Sequence, residues 1–270
     1  MTTTRALPTT IDGVIERLEE TIRDSIARHD RLGYFAALYN RVTLAVREGI
    51  RKGEFQDGPR MERLDVTFAN RYLAAYDHFR AGEVPSRSWL VAFRAAANAD
   101  HVVLQHLLAG MNAHINLDLG IAAARTCPGA ELQGLRGDFD RINDVLAKLT
   151  PAVEQEIDGL SPVFHLLTSF APKLELKMVG FSMDRARAEA WRLAQELAPL
   201  AVHDQVHHIA ERDLEVTLVA AAVLNDGLIV RAIRSRECAD VARNVSDLSQ
   251  GEFRVAIQPT IAMPAQGRSG

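Results

Sequence analysis

The stretch His101 to Ile121, HVVLQHLLAGMNAHINLDLGI, puts ionisable side chains on an otherwise apolar helix. On a helix turning about 100° per residue, His106, Gly110, His114 and Asp118 fall at about 0°, 40°, 80° and 120°, a single stripe. His114-x3-Asp118 sets an imidazole and a carboxylate one turn apart, the spacing by which a helix offers two ligands to one metal ion. His106 would supply a third. Gly110 costs about 1 kcal/mol of helix propensity relative to alanine, so its presence predicts space beside the ligands. Mixed His and Asp ligation with an open position favours zinc, whose bound water reaches a pKa of about 7 and hydrolyses an ester or phosphoester. Iron is the second choice, giving oxygen-dependent oxidation of a small molecule, although the stripe lacks the glutamates of di-iron bundles.

Other segments must complete such a site. Asp65 and Tyr72 share a face seven residues apart, and Arg71 beside them can meet a carboxylate. In the run Gly137 to Asp144, GDFDRIND, Asp138 reads as a helix cap and Asp140 as a first-turn acid favoured by the helix dipole. Asp140 or Asp144 can also serve as ligand or general base. The catalytic candidates are therefore Asp65, Tyr72 and Asp140, and the metal candidates His106, His114 and Asp118. A second stripe, His203, His207 and Glu211 with His208 alongside, has metal spacing as well. Its neighbours Asp204, Gln205, Arg212 and Asp213 suit an exposed face instead. His165, on a short apolar segment, reads as a core histidine.

Two readings need no metal. A cavity floored by Gly110 and lined by Tyr72, His106, His114 and Asp118 would bind an apolar small molecule, and cyclise or isomerise it by acid–base chemistry. Alternatively the buried His, Asn and Asp form a hydrogen-bonded network that only holds helices together, in an interaction protein.

The elements that position these residues read with helical period. Ile11, Val14, Ile15, Leu18, Ile22 and Ile26 recur at three and four, and so do Tyr34, Leu38, Val42, Val46 and Ile50. A third helix follows Pro59, where proline suits a first turn, and runs through Leu64, Phe68, Tyr72 and Phe79 to near Gly82. Ser86 or Ser88 can cap Trp89 to Ala97. Asp100 opens the longest helix, to about Thr126, closed by Cys127-Pro128-Gly129. Asp138 or Asp140 starts the next, with Pro151 as a kink or break. A short helix around Phe164 to Phe170, an amphipathic one from Met183 to Leu197, and a pair, Val202 to Leu224 and Leu228 to Leu248, complete the pattern. Strand-like character is confined to Leu228–Val230 and Phe253–Ile257. The expectation is an all-α, single compact domain of about nine or ten helices over residues 11–250, around a buried central helix 100–126. Residues 1–10 and 251–270 read as flexible termini.

Composition narrows the function classes. The 270 residues are 47% hydrophobic and 24% charged, ordinary for a soluble globular chain. With 31 basic against 35 acidic residues, the net charge of −4 argues against a nucleic-acid backbone binder. Cys127 and Cys238 form no disulfide framework and no CxxC pair. Met1 to Asp12 lack the apolar run of a signal peptide and no window reaches the length of a membrane span, so the expected setting is cytoplasmic and the expected partner a small-molecule substrate. Phosphate-loop, dinucleotide and nucleophile-elbow motifs are absent.

Several blocks carry a resemblance: Tyr34 to Tyr39, Met61 to Tyr72, Leu104 to Gly120, Asp138 to Asn143, and Phe181 to Trp191. Over roughly residues 30–250 the chain resembles a bacterial, all-helical family whose function is unknown. His106 to Asp118 is the most distinctive part of the match. The resemblance implies a helical fold and the same residue clusters, and it supplies no reaction. It does not extend to His203, His207 and His208.

Overall fold

A computed structural model describes residues 5–160, 183–225, 234 and 239–250. Thr10 accepts the Gly13 N–H and so starts α1 (Ile11–Arg28), whose apolar stripe Ile11, Val14, Ile15, Leu18 and Ile22 is buried as its spacing predicts. Residues 5–10, expected as part of a flexible terminus, lie against the helices: Asn70 donates to the Pro8 carbonyl and Arg5 meets Glu20. Next come α2 (Gly33–Arg51), α3 (Gly58–Arg80) and α4 (Arg87–Ala95). The central rod is α5 (Val103–Ala113), a six-residue π-helical stretch (His114–Leu119) and α6 (Gly120–Thr126). Then follow α7 (Glu131–Leu160), α8 (Met183–Leu197), α9 (Gln205–Val223) and α10 (Val241–Gln250). Counting the central rod as one, the described residues form nine helices and no strand, with a contiguous apolar core. The chain is all-α and a single compact domain, as its periodicity predicts. No helix among the described residues is long and apolar enough to cross a membrane.

The central rod departs from its expected form in two ways. It begins at Val103 rather than Asp100, and the π-helical stretch interrupts its α winding at His114. A π stretch shifts bonding from i→i+4 to i→i+5 and recurs at functional sites. Arg212 Nε of α9 pins it from outside, donating to the Asn116 carbonyl at 2.9 Å, and within the rod Asn116 Nδ2 donates to Asn112 Oδ1 at 2.9 Å.

Gly110 does not open a cavity. A Cβ there would stand 2.5 Å from the Phe35 ring, so the glycine admits Phe35 of α2 against α5. The space predicted for a ligand is filled by an aromatic side chain. Gly120 plays the same part toward α8, where a Cβ would stand 2.6 Å from the Ala190 carbonyl oxygen.

Two buried aspartates staple helix ends from the middle of other helices. α7 starts at Glu131, so Asp138 is not its cap. Asp138 instead accepts the backbone N–H groups of Gln56 and Asp57, at 2.6 and 3.1 Å, and Arg60 Nη2 at 2.7 Å, closing the start of α3. Pro151 does not end α7, which continues to Leu160. Ser86 precedes α4 without a side-chain cap; Asp213 of α9 accepts the Arg87 and Ser88 N–H groups and the Ser88 hydroxyl. Carboxylates at helix N-termini satisfy orphan donors and complement the dipole. The expected helix 164–170 with His165, the strand-like runs, Cys238, and residues 1–4 and 251–270 lie outside the described residues.

Candidate functional site

Asp118 is wholly buried and differs from the two staples in what it binds. Its Oδ1 accepts Arg71 Nε at 2.6 Å, and its Oδ2 accepts Trp89 Nε1 at 2.7 Å, with His114 Nδ1 3.4 Å from the same oxygen. All three donors are side chains, from α3, α4 and the π stretch itself. Burial works to raise the Asp118 pKa, but the Arg71 charge with the His114 and Trp89 bonds holds it below the usual carboxylate range. The pair is thus an ionised carboxylate facing an imidazole in a dry interior.

Burial lowers the His114 pKa against the pull of Asp118, so the ring is neutral near pH 7. With Nδ1 protonated toward the carboxylate, Nε2 carries the lone pair. That buried nitrogen has no hydrogen-bond partner. Rings surround it. Phe68 stacks on the imidazole at 3.6 Å between centroids and 7° between planes; Tyr39 meets it edge-on at 4.4 Å, Phe35 at 5.5 Å. Trp89 and Tyr72 complete the cage at 6.0 and 6.3 Å.

More polar atoms in this cage lack partners: the hydroxyls of Tyr39 and Tyr72, and Asp65 Oδ2. Asp65, Phe68 and Tyr72 follow one another at three and four along α3, on the face turned to the π stretch. Burial raises the Asp65 pKa to about 7, with the Glu62 charge adding to it. Burial also puts both tyrosine hydroxyls well above their ordinary range, and the Asp65 charge adds to the effect at Tyr39. Buried polar groups are normally paired, so four unpaired atoms in one cage call for an explanation.

The structure gathers Tyr72, His114 and Asp118, sets Asp65 one turn before Phe68 on α3 with its charge acting on Tyr39, and leaves two predicted residues elsewhere. His106 lies eight residues before His114, about 12 Å along the rod axis. It packs on Tyr34 and His101, and burial with the nearby His101 and Arg31 charges lowers its pKa to about 3. Asp140 is on the surface, 47% exposed and paired with Arg136 at 2.7 Å; Asp144 is exposed and pairs with Arg141. Among the described residues no three His, Cys, Asp or Glu side chains are grouped to hold a metal ion. The His203–Glu211 stripe is no ligand set either. His203 sits in the turn before α9 beside Asp204, and His207, 80% exposed, pairs with Glu211. Sequence reasoning missed Tyr39, Phe68 and Trp89 as site residues. The dense aromatic block Tyr34-Phe35-Ala36-Ala37-Leu38-Tyr39 was the available signal.

Fold and site together define a helical protein with a buried, aromatic-lined His–Asp pair on a π-helical turn. Residues 11–226 match the family described as a family of unknown function (DUF5995), and the chain belongs to it. No curated protein matches the chain. No solved structure matches it.

Proposed function

We propose that the protein is a metal-free acid–base enzyme that isomerises or cyclises an apolar small molecule in the cytoplasm, with His114 as general base and Asp65 as general acid. The observation that carries this reading is the unpartnered Nε2 of His114, a neutral imidazole lone pair with a buried carboxylate behind Nδ1. A carboxylate in that place fixes the tautomer and stabilises the imidazolium formed when Nε2 takes a proton. A base that is neutral near pH 7 and an acid raised by burial to about 7 supply the two protonation states needed to move a proton from one atom of a substrate to another. In this reading the Tyr39 and Tyr72 hydroxyls, which have no hydrogen-bond partner, donate to an oxygen that gains charge in the step.

The zinc-hydrolase and iron-oxidation readings have less support. His106 does not join His114, and the Asp118 oxygens are engaged by Arg71 and Trp89, so a cation would have to displace a guanidinium. Neither of two surface clefts is lined by His114 or Asp118: one of about 450 Å³ runs beside Arg5 and Arg17, the other of about 200 Å³ beside Glu189 and Arg212. Phe68, stacked on His114, is the half-buried ring of its cage, and in this reading the substrate enters past it.

The test is histidine-selective 15N NMR combined with a thermal-shift screen of uncharged planar compounds. His114 Nε2 should resonate as an unprotonated nitrogen between pH 6 and 8 (about the range spanned by an unperturbed histidine). A stabilising compound should move that resonance, and His114→Gln should fold while losing the response. A protonated Nε2, or a library that never perturbs it, sinks the proposal.

A further inference from the structure

Arg71 and Arg125 crowd the outer edge of the site without a matching number of counter-charges. Arg71 commits Nε to Asp118 at 2.6 Å, and its two Nη groups have no protein partner among the described residues. Its side chain is 22% exposed, so the guanidinium bridges the buried carboxylate and solvent. Arg125 lies two turns beyond Asp118 on α6, which packs against α3, and it is exposed with no hydrogen bond or ion pair among the described residues. Many exposed arginines of this chain do pair: Arg51 with Glu48, Arg136 with Asp140, Arg192 with Glu189. Arg71 is bonded to Asp118, Arg125 stands two turns from Asp118 on the same rod and α6 packs on α3, so the three charges share one neighbourhood, where partial burial, then the like charge of Arg71, lowers the Arg125 pKa against the pull of Asp118. With His114 neutral, one carboxylate against two guanidiniums leaves a net positive charge there.

We propose that Arg71 and Arg125 form a cationic mouth that holds the carboxylate of the substrate, so that the site takes a planar, unsaturated or aromatic monocarboxylate. This rests on the reading of His114 as the base of a ligand site. Guanidinium forks bind carboxylates bidentately, and an anion between the two arginines removes their mutual repulsion. Phe68 is three residues before Arg71, so a carboxylate held at Arg71 puts its planar body about 5 Å along α3, level with Phe68, the ring that covers the face of His114. The aromatic cage matches a flat apolar body, and the arginines match its charged end.

Benzoate and its neutral isostere benzamide test this by calorimetry and by the His114 Nε2 resonance, at low ionic strength, on the full chain. Benzoate should bind at least tenfold more tightly than benzamide, and both should move His114. Arg125→Gln, at an exposed position, should erase the preference while leaving benzamide binding in place; Arg125→Lys should restore part of it. Benzamide that moves His114 with benzoate no tighter overturns the cationic mouth and leaves the base reading standing. Benzoate held through Arg125 without any response at His114 overturns the substrate assignment through the base reading on which it rests. Silence from both compounds at His114 overturns the two together.

Discussion

Phe68 lies flat against His114, ring centroids 3.6 Å apart and planes 7° from parallel, and it is the half-buried member of the cage. One side chain on α3 thus separates the imidazole from solvent and helps keep it neutral. Phe68→Ala removes that cover. Truncating a fully buried phenylalanine costs about 3–5 kcal/mol, and half-burial reduces the expected loss to about 1–3 kcal/mol. The His114 pKa should rise toward its ordinary value, read by an NMR pH titration. A ring that stays untitratable from pH 5 to 8 (about the window of ordinary histidine protonation) would show that Phe68 is not its cover.

Asp118→Asn separates an ion-paired aspartate from an end-capping one. The amide can still accept from Trp89 but cannot neutralise Arg71, so a buried charge pair is broken at an expected cost of about 3–5 kcal/mol. Asp213→Asn keeps one oxygen to accept from Ser88 but loses the acceptor of the Arg87 N–H, and should cost about 1 kcal/mol, the scale of a weakened cap. Denaturant unfolding of both variants checks the ranking. Equal losses would remove the distinction drawn between the two aspartates.

The helices were legible because their apolar residues recur at three and four; α8 spans Met183–Leu197 as its pattern predicts. His114 and Asp118 were legible because buried polar residues stand out in an apolar run. The errors have physical causes. A wheel turned at a constant α pitch carried His106 into the same site, although eight residues separate it from His114 along the rod, and nothing in His-Ile-Asn-Leu-Asp-Leu marks a π turn. Asp138 looked like a cap because caps are sought at the start of a residue's own helix, whereas it closes the start of α3 from within α7. Gly110 implied space, but a glycine says only that something comes close, and here it is Phe35.

Gly110→Ala sets two effects against each other. Alanine gains about 1 kcal/mol of helix propensity over glycine. Its Cβ would also lie 2.5 and 2.7 Å from two atoms of the Phe35 ring, which is itself packed between Tyr39, Tyr72, Trp89 and His114. Overpacking of this kind costs about 1–3 kcal/mol, so after the gain in propensity a net loss of about 0–2 kcal/mol is expected in equilibrium unfolding. A stabilised variant would mean that Phe35 moves freely and the cage is looser than its geometry.

Chelation distinguishes the acid–base reading from the metal one. Dialysis against EDTA should leave the melting temperature and the His114 resonances unchanged, and elemental analysis of untagged protein should give well below one zinc or iron per chain. About one metal per chain, lost in His114→Ala, would return the site to metal chemistry with His114 and Asp118 as ligands.

The dependence of stability on pH should show two buried groups working in opposite directions. Asp65 has its pKa raised from 3.8 to about 7, so the folded state binds its proton more readily than the unfolded chain does. Its contribution is fully present below 3.8 and is lost as the pH rises through 7, a swing on the order of 4 kcal/mol. His106 has its pKa lowered from 6.5 to about 3, so the folded state binds its proton less readily. Its contribution is fully present above 6.5 and is lost as the pH falls through 3, a swing on the order of 5 kcal/mol. Between about pH 4 and 6.5 the two slopes oppose each other, and the native protein should show a shallow profile there. Asp65→Asn removes the falling slope, so that variant should gain stability with rising pH across this window. His106→Gln removes the rising slope, so its stability should drop over the same interval, less steeply to the extent that His114, also lowered by burial, adds a rise of its own. Urea midpoints of the three proteins at half-unit pH steps resolve the matter. Parallel profiles would mean that neither side chain is held in the protonation state its burial demands.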